Sequence, residues 1–149
     1  MIYVGIDPGQ KGGYAIIAES ETGKSVFAYP WDDTFFIMEM TAIAKQNVIA
    51  AVEKVNARPG QGVTSMFSFG KSAGFIEGVL STLGISYQLI PPATWKREFS
   101  LIGKDKKASI ETCQKLFPEV DLRRSERSRT DSDGKAEALL IALYAERHL

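Results

Sequence analysis

The sequence predicts an α/β fold organised as one domain around a β-sheet, residues 1–149. Two apolar runs of strand length, Ile2–Asp7 and Val48–Glu53, have no polar break, which is typical of strands buried on both faces. Both runs end on an acid, and if the two strands are neighbours both acids lie at one edge of the sheet. Residues 14–18 follow the first strand after a Pro8-Gly9 turn, so we predict that they form its hairpin partner.

The same patterns define the remaining elements. Further strands are predicted over 25–29 and 86–90, and helices over about 33–46, 64–83, 93–99, 106–117 and 136–147. The helix over 64–83 begins with Thr64 and Ser65, which are suitable N-cap residues. It also carries Gly70, Gly74 and Gly78 at intervals of four, a pattern that permits close approach of another backbone. We expect this glycine stripe to pack on the chain's own sheet, with a second subunit as the alternative.

Composition restricts the chemistry. The single cysteine, Cys113, excludes an internal disulfide and a multi-cysteine zinc site. The single histidine, His148, lies next to the C-terminus, so carboxylates must carry any hydrolytic mechanism. Net charge is zero, but segment 94–135 holds eleven bases and eight acids, which predicts a basic surface near an acidic site. No apolar run approaches the roughly 20 residues that span a bilayer.

Four acids lie at positions that topology brings to one edge of the sheet. Asp7 and Glu53 end the two buried strands, and Asp133 and Glu137 stand four apart at the start of the last helix, on one helix face. A turn-capping role for Asp7 and a helix N-terminal role for Asp133 are the simpler alternatives. Neither accounts for Glu137, which precedes an apolar run. Such a set suits hard divalent cations, and two Mg²⁺ ions can activate water and stabilise the leaving oxygen of a phosphodiester.

Several segments carry a resemblance to a known family: residues 5–9, 52–53, 92–96, 103–107, 116–118 and 133–142. In this order along the chain, they resemble the RuvC-type crossover junction (Holliday junction) endodeoxyribonucleases of the ribonuclease H-like superfamily, of the compact sort found in phages and prophages. The resemblance implies a five-stranded mixed sheet of order 3-2-1-4-5 with strand 2 antiparallel, flanked by helices. It also implies a homodimer that makes paired nicks in four-way DNA junctions, and a cytoplasmic location in a bacterial or phage-infected bacterial cell.

By motif position, the resemblance implies that Asp7, Glu53 and Glu137 are catalytic metal ligands for two Mg²⁺ ions, with Mn²⁺ as a substitute. Members of the family often carry a further acid three residues before the last one, and that position here is Gly134. Asp133 is therefore the expected fourth ligand, and Asp131 is the fallback. The implied reaction is in-line attack of water on the scissile phosphate, leaving 5′-phosphate and 3′-hydroxyl ends.

Basic residues are expected to hold DNA phosphates, with affinity that depends strongly on salt. Lys107 matches a base of the family that contacts the DNA backbone, and Lys96 is a weaker match. The full expected set is Lys96, Lys104, Lys106, Lys107, Arg123, Arg124, Arg127 and Arg129. Some relatives carry an aromatic wedge three residues after the second acid, where this chain has Asn56, and the active-site histidine of others has no counterpart.

Three alternatives remain open at this point. A nuclease of broader selectivity, cutting flaps, forks or RNA–DNA hybrids, would use the same acids. An actin-like or sugar-kinase ATPase shares the strand followed by an Asp-Gly turn, but it needs a second lobe for which this chain is too short. A non-enzymatic DNA-binding module would not need four intact acids, and a metal titration separates it from the nucleases.

Overall fold

The computed structural model describes residues 1–149 and contains five strands and five helices. In chain order the elements are β1 (Ile2–Asp7), β2 (Gly13–Ser20), β3 (Gly23–Pro30), α1 (Asp33–Ile43), β4 (Val48–Glu53), α2 (Val63–Thr82), β5 (Ser86–Ile90), α3 (Pro92–Glu98), α4 (Lys106–Leu116) and α5 (Asp133–His148). None of the helices combines the length and the apolar character that crossing a membrane requires.

The five strands form one mixed sheet in the order β3-β2-β1-β4-β5, which confirms the predicted topology. Strand β2 is antiparallel to β1 and β3, whereas β1, β4 and β5 run parallel. Ile6 pairs with Val52 across β1 and β4, so Asp7 and Glu53 are the next residues along neighbouring strands. Parallel pairing therefore brings both acids to the same edge of the sheet.

Alternation along the strands divides the core into two layers. Ile2, Val4 and Ile6 of β1 belong to one hydrophobic cluster with residues of α1 and α2. Residues of the opposite parity face α5, since Tyr3 packs against the second cluster, which contains most of that helix. Asp7 shares this parity and Glu53 shares it with Ala51 of β4, so both carboxylates project on the α5 side.

Helix α5 lies unusually close to the sheet because glycines remove the side chains between them. A Cβ added at Gly5 would lie 2.1 Å from both the Ala138 carbonyl oxygen and the Ala142 amide nitrogen. A Cβ added at Gly134 would lie 2.3 Å from the carbonyl oxygen of Lys11, in the β1–β2 turn. An acidic side chain at position 134, like that of many members of the family, could not fit here, because the backbone of the turn occupies its space.

Helix α2 departs from the prediction in two ways. Its N-cap is Gly62, which makes no side-chain capping bond, so the expected capping by Thr64 and Ser65 is wrong. The expected packing of the glycine stripe on the sheet is also wrong: a Cβ added at Gly70, Gly74 or Gly78 would meet nothing within 4 Å. The helix instead buries Ile76 and Leu80 on the sheet, which turns the stripe to solvent.

The other boundaries agree with the predicted elements to within a few residues. Helix α1 ends at Ile43, three residues before the predicted end, and Asp32 caps it by accepting a hydrogen bond from the Phe35 amide. Helix α5 starts at Asp133 with Ser132 as its N-cap, and it is buried nearly all round rather than on one side.

Candidate active site

A cleft of about 1080 Å³ opens at the carboxyl ends of β1 and β4, and all four predicted acids line it. Asp7 and Glu53 come from the sheet edge, while Asp133 and Glu137 come from the first two turns of α5. Asp131, the alternative fourth ligand, lies outside the cleft lining and accepts a hydrogen bond from Gln114 Nε2 at 2.6 Å. Of these two acids, only Asp133 lines the cleft together with Asp7, Glu53 and Glu137.

Burial and mutual repulsion act together on these carboxylates. Burial raises the pKa of Asp7 well above its usual range, and the negative charges of Glu137 and Glu53 raise it further. Burial also raises the pKa of Glu137, whose side chain is only 7% exposed; Lys96 opposes that shift and Glu53 adds to it. Negative charge in this cleft is therefore costly, and added positive charge would relieve the cost.

Three of the acids are held individually by protein donors. The indole Nε1 of Trp95 donates to Glu53 Oε2 at 2.7 Å, and the hydroxyl of buried Ser109 donates to Glu137 Oε1 at 3.2 Å. The ammonium of Lys106 lies 2.6 Å from Asp133 Oδ2, an ion pair that raises the pKa of the lysine.

No group of three or more His, Cys, Asp or Glu side chains is arranged in this structure to hold a metal ion. The chemistry of the donor set nevertheless fits a hard divalent cation: four carboxylates line one cleft, and no arginine pairs with any of them. A cation bound beside Asp7 would lower its raised pKa, because nearby positive charge stabilises the ionised carboxylate. A cation shared by these acids would compete with Lys106 for Asp133.

The predicted DNA-binding residues fall into two groups. Lys96, Lys104 and Lys106 line the cleft, and the Lys96 ammonium lies 4.0 Å from Glu137 Oε1. The others lie outside the cleft lining: Lys107, Arg123, Arg124, Arg127 and Arg129.

Two of the arginines outside the cleft have structural partners. The guanidinium of Arg123 is bonded to the Asp121 carboxylate, with Nη2 to Oδ2 at 2.8 Å, so it is committed within its own loop. The Nη2 of Arg124 donates to the Gln10 carbonyl oxygen at 3.2 Å, which ties its loop to the edge of the cleft.

The arginine-rich segment is fixed at its base by a buried lysine. Lys135, 6% exposed, donates from Nζ to the carbonyl oxygens of Asp121 and, at 2.9 Å, Arg123. An isolated antiparallel bridge joins Arg123 to Asp131 and closes the loop. The segment 123–131 therefore starts and ends against the N-terminus of α5, beside the acids.

Sequence reasoning missed one wall of the cleft. The loop after β4, the β1–β2 turn and the start of α2 contribute further bases and two phenylalanines: Lys11, Lys54, Arg58, Lys71, Phe67 and Phe69. Phe67 is 73% exposed, which is high for an aromatic residue. The Gly/Pro-rich composition of segment 54–62 marked a loop, but nothing in it showed that this loop would face the acids.

Solved structures with the same fold were found by comparison of the whole chain. The structure of Thermus thermophilus RuvC has a TM-score of 0.54 at 17% identity, covering 96% of this chain and 92% of that chain. The same RuvC in complex with a Holliday junction substrate has a TM-score of 0.59 at 15% identity, covering 99% and 97%. The chain has the RuvC fold. Ydc2, the yeast mitochondrial Holliday junction resolvase, matches with a TM-score of 0.52 at 15% identity, covering 93% of this chain and 75% of its own.

At the level of sequence, neither a protein-family model nor a curated protein matches the chain. The RuvC fold and its strand order confirm the fold that the sequence resemblance implied.

Proposed function

We propose that this protein is a Holliday junction resolvase, a metal-dependent endodeoxyribonuclease that makes paired nicks in four-way DNA junctions. The observation that carries the proposal is the convergence of Asp7, Glu53, Asp133 and Glu137 on one cleft of a RuvC fold. Structural neighbours that act on Holliday junctions support this substrate. The cytoplasmic location in a bacterial or phage-infected bacterial cell, which the sequence resemblance implies, is part of this proposal.

The four acids would hold two Mg²⁺ ions, for which Mn²⁺ would substitute, with Asp7 between Glu53 on one side and the two acids of α5 on the other. When bound, such ions supply an activated water and stabilise charge on the leaving oxygen of a phosphodiester. The hydroxyl of Ser109 holds Glu137 by a hydrogen bond, and the backbone of β1 and β4 fixes the spacing of the strand-end acids. A phosphate in the cleft would also meet the ammonium groups of Lys96 and Lys106.

The DNA backbone would lie between two basic walls of the cleft. One wall carries Lys96, Lys104 and Lys106. The other carries Lys54 and Arg58 of the loop after β4 and Lys71 of α2. Arg124, tied to the β1–β2 turn, would extend the contact beyond the rim, whereas Arg123 is occupied by Asp121. Binding through several phosphates predicts an affinity that falls steeply as salt rises.

We also propose that two copies associate through the outer face of α2. This face carries the unfilled stripe Gly70, Gly74 and Gly78, beside Phe67 at 73% and Val63 at 85% exposure. Exposed apolar groups next to small residues let two helices approach closely and bury hydrophobic surface. A two-fold pair would present two clefts to the two symmetric strands of a junction.

The deciding experiment is a nicking assay with Mg²⁺ on four-way junction, flap, fork and RNA–DNA hybrid substrates. We expect paired nicks in the junction with 5′-phosphate products, and none in the presence of EDTA. Asp7→Asn is the matched control, since it removes one charge and little volume. Equal cutting of flaps, forks or hybrids would instead support a nuclease of broader selectivity, and no cutting with intact DNA binding would support a non-enzymatic module.

Sedimentation velocity tests the association. Gly74→Arg should convert a dimer to a monomer without unfolding it, because the added side chain enters open space in the single chain. Glu111→Arg, on the exposed surface of α4, should leave the association unchanged. A parent protein that is monomeric at micromolar concentration would refute the dimer while leaving the nuclease proposal to the nicking assay.

A further inference from the structure

The indole of Trp95 makes the only protein hydrogen bond to the side chain of Glu53. The Nε1–H donates to Glu53 Oε2 over 2.7 Å, and Trp95 has no exposed surface. An indole has one donor and no acceptor, so this bond satisfies the entire polar capacity of the residue. Forty-two positions separate the two residues in sequence, so the contact depends on the fold rather than on local structure.

The contact is built by the sheet edge. Glu53 pairs with Ile90 at the end of β5, and the Lys54 amide donates to the Ile90 carbonyl oxygen at 2.8 Å. Pro92 then starts α3, which folds Trp95 back beneath the end of β4. The indole also packs in the cluster that contains α5, which fixes the ring as well as the bond.

Glu53 lies between the cleft and the hydrophobic core. The carboxylate lines the cleft, whereas Trp95 lies behind it and is absent from the lining. The hydrogen bond on Oε2 therefore holds the carboxylate at a fixed rotation. Carboxylates that bind metals are commonly held by a hydrogen bond from a neighbouring protein group. Loss of that group typically lowers metal affinity or activity about 10- to 100-fold.

We propose that Trp95 is a positioning residue, which orients Glu53 toward a divalent cation in the cleft. This inference rests on the proposed function of the same site, since it takes Glu53 as a metal ligand. Two successive residues of α3 then contact two different acids. Trp95 holds Glu53, and the ammonium of Lys96 lies 5.2 Å from the centre of the Trp95 ring and 4.0 Å from Glu137 Oε1. The short segment after β5 thereby connects acids from two different elements.

Titration of Mg²⁺ tests the inference without reference to nicking. Trp31→Phe leaves Trp95 as the only tryptophan, so its fluorescence should change when a cation binds at Glu53. Calorimetry gives the affinity. Trp95→Phe, which keeps an aromatic ring and removes the donor, should weaken Mg²⁺ binding about 10- to 100-fold. Phe117→Leu, a change in the same core cluster at a residue outside the cleft lining, is the control for lost packing.

A second substitution guards against a folding defect in Trp95→Phe. In the Trp31→Phe background, benzothienylalanine in place of tryptophan keeps the shape of the ring and replaces only the N–H by sulfur. It should reproduce the loss of affinity with a melting temperature close to that of the parent. Parental Mg²⁺ affinity in this isostere would overturn the inference and leave the nuclease proposal standing, whereas a parent chain that binds no divalent cation would overturn both.

Discussion

Replacement of Gly134 by alanine tests whether the close approach of α5 to the β1–β2 turn holds the acids together. The new Cβ would lie 2.3 Å from the Lys11 carbonyl oxygen and 2.6 Å from that of Gly12. Ordinary contact begins at 3.4 Å, so helix and turn must separate by about 1.1 Å. Both partners are backbone, which leaves no flexible side chain to move aside.

The expected losses of stability and of nicking rate follow from this separation. Overpacking of a core costs about 1–3 kcal/mol, and the gain in helix propensity from glycine to alanine offsets about 1 kcal/mol at most. A net loss of about 1–2 kcal/mol, the upper half of the resulting range, lowers the melting temperature of a chain of this size by roughly 2–8 °C. The acids of α5 would shift relative to Asp7, and a 1 Å misplacement of catalytic groups can cost about 100-fold in rate.

Thermal denaturation and junction nicking, each measured with and without Mg²⁺, provide the assay. Gly62→Ala is the matched control, because its Cβ would meet only Ser65 Oγ at 3.9 Å in an exposed N-cap. We expect this control to change stability by less than about 0.5 kcal/mol. If Gly134→Ala melts and nicks like the parent, the close approach does not determine the site geometry.

Three further predictions concern charge in the cleft. Asp7→Asn should abolish nicking and keep junction binding, as electrophoretic mobility shifts with Ca²⁺ would show. In EDTA, the parent should lose stability as pH rises above about 4, the ordinary carboxyl range. Asp7 and Glu137 have raised pKa values in the folded chain, so they bind protons more tightly there than in the unfolded chain. Glu137→Gln should flatten that profile of melting temperature against pH; a profile as steep as that of the parent would contradict it. Lys106→Met should release Asp133 and so raise the Mg²⁺ affinity measured by calorimetry about two- to fivefold, given the usual strength of an exposed ion pair. Lys107→Met breaks no ion pair and should leave the Mg²⁺ affinity unchanged.

The strand-end acids could be predicted because their signal is local. An apolar run that ends in a carboxylate, as at Asp7 and Glu53, identifies both the strand and its exposed edge without knowledge of any other element. Glu137 was predictable for a similar reason, since an acid before a long apolar stretch has no simple role as a helix cap. The order of the strands followed from the family resemblance rather than from these patterns.

The supporting residues could not be predicted, because their roles depend on how distant elements pack. Trp95 reads as an ordinary core residue in the sequence, and only the pairing of β4 with β5 brings it to Glu53. The direction of the glycine stripe likewise depends on the rotation of α2, which Ile76 and Leu80 decide by packing on the sheet. Glycines at a spacing of four permit close contact on either side, so the spacing alone could not choose.

The lysine at the base of the arginine-rich loop has a consequence for how this protein could change over time. Lys135 and the Arg123–Asp131 bridge hold the two ends of the loop together, so residues 125–130 could vary in length without disturbing helix α5. Doubling such a loop costs only about 0.6 kcal/mol in closure entropy. Under the proposed function, insertions at this tip would change which DNA shapes are preferred and leave the four acids in place.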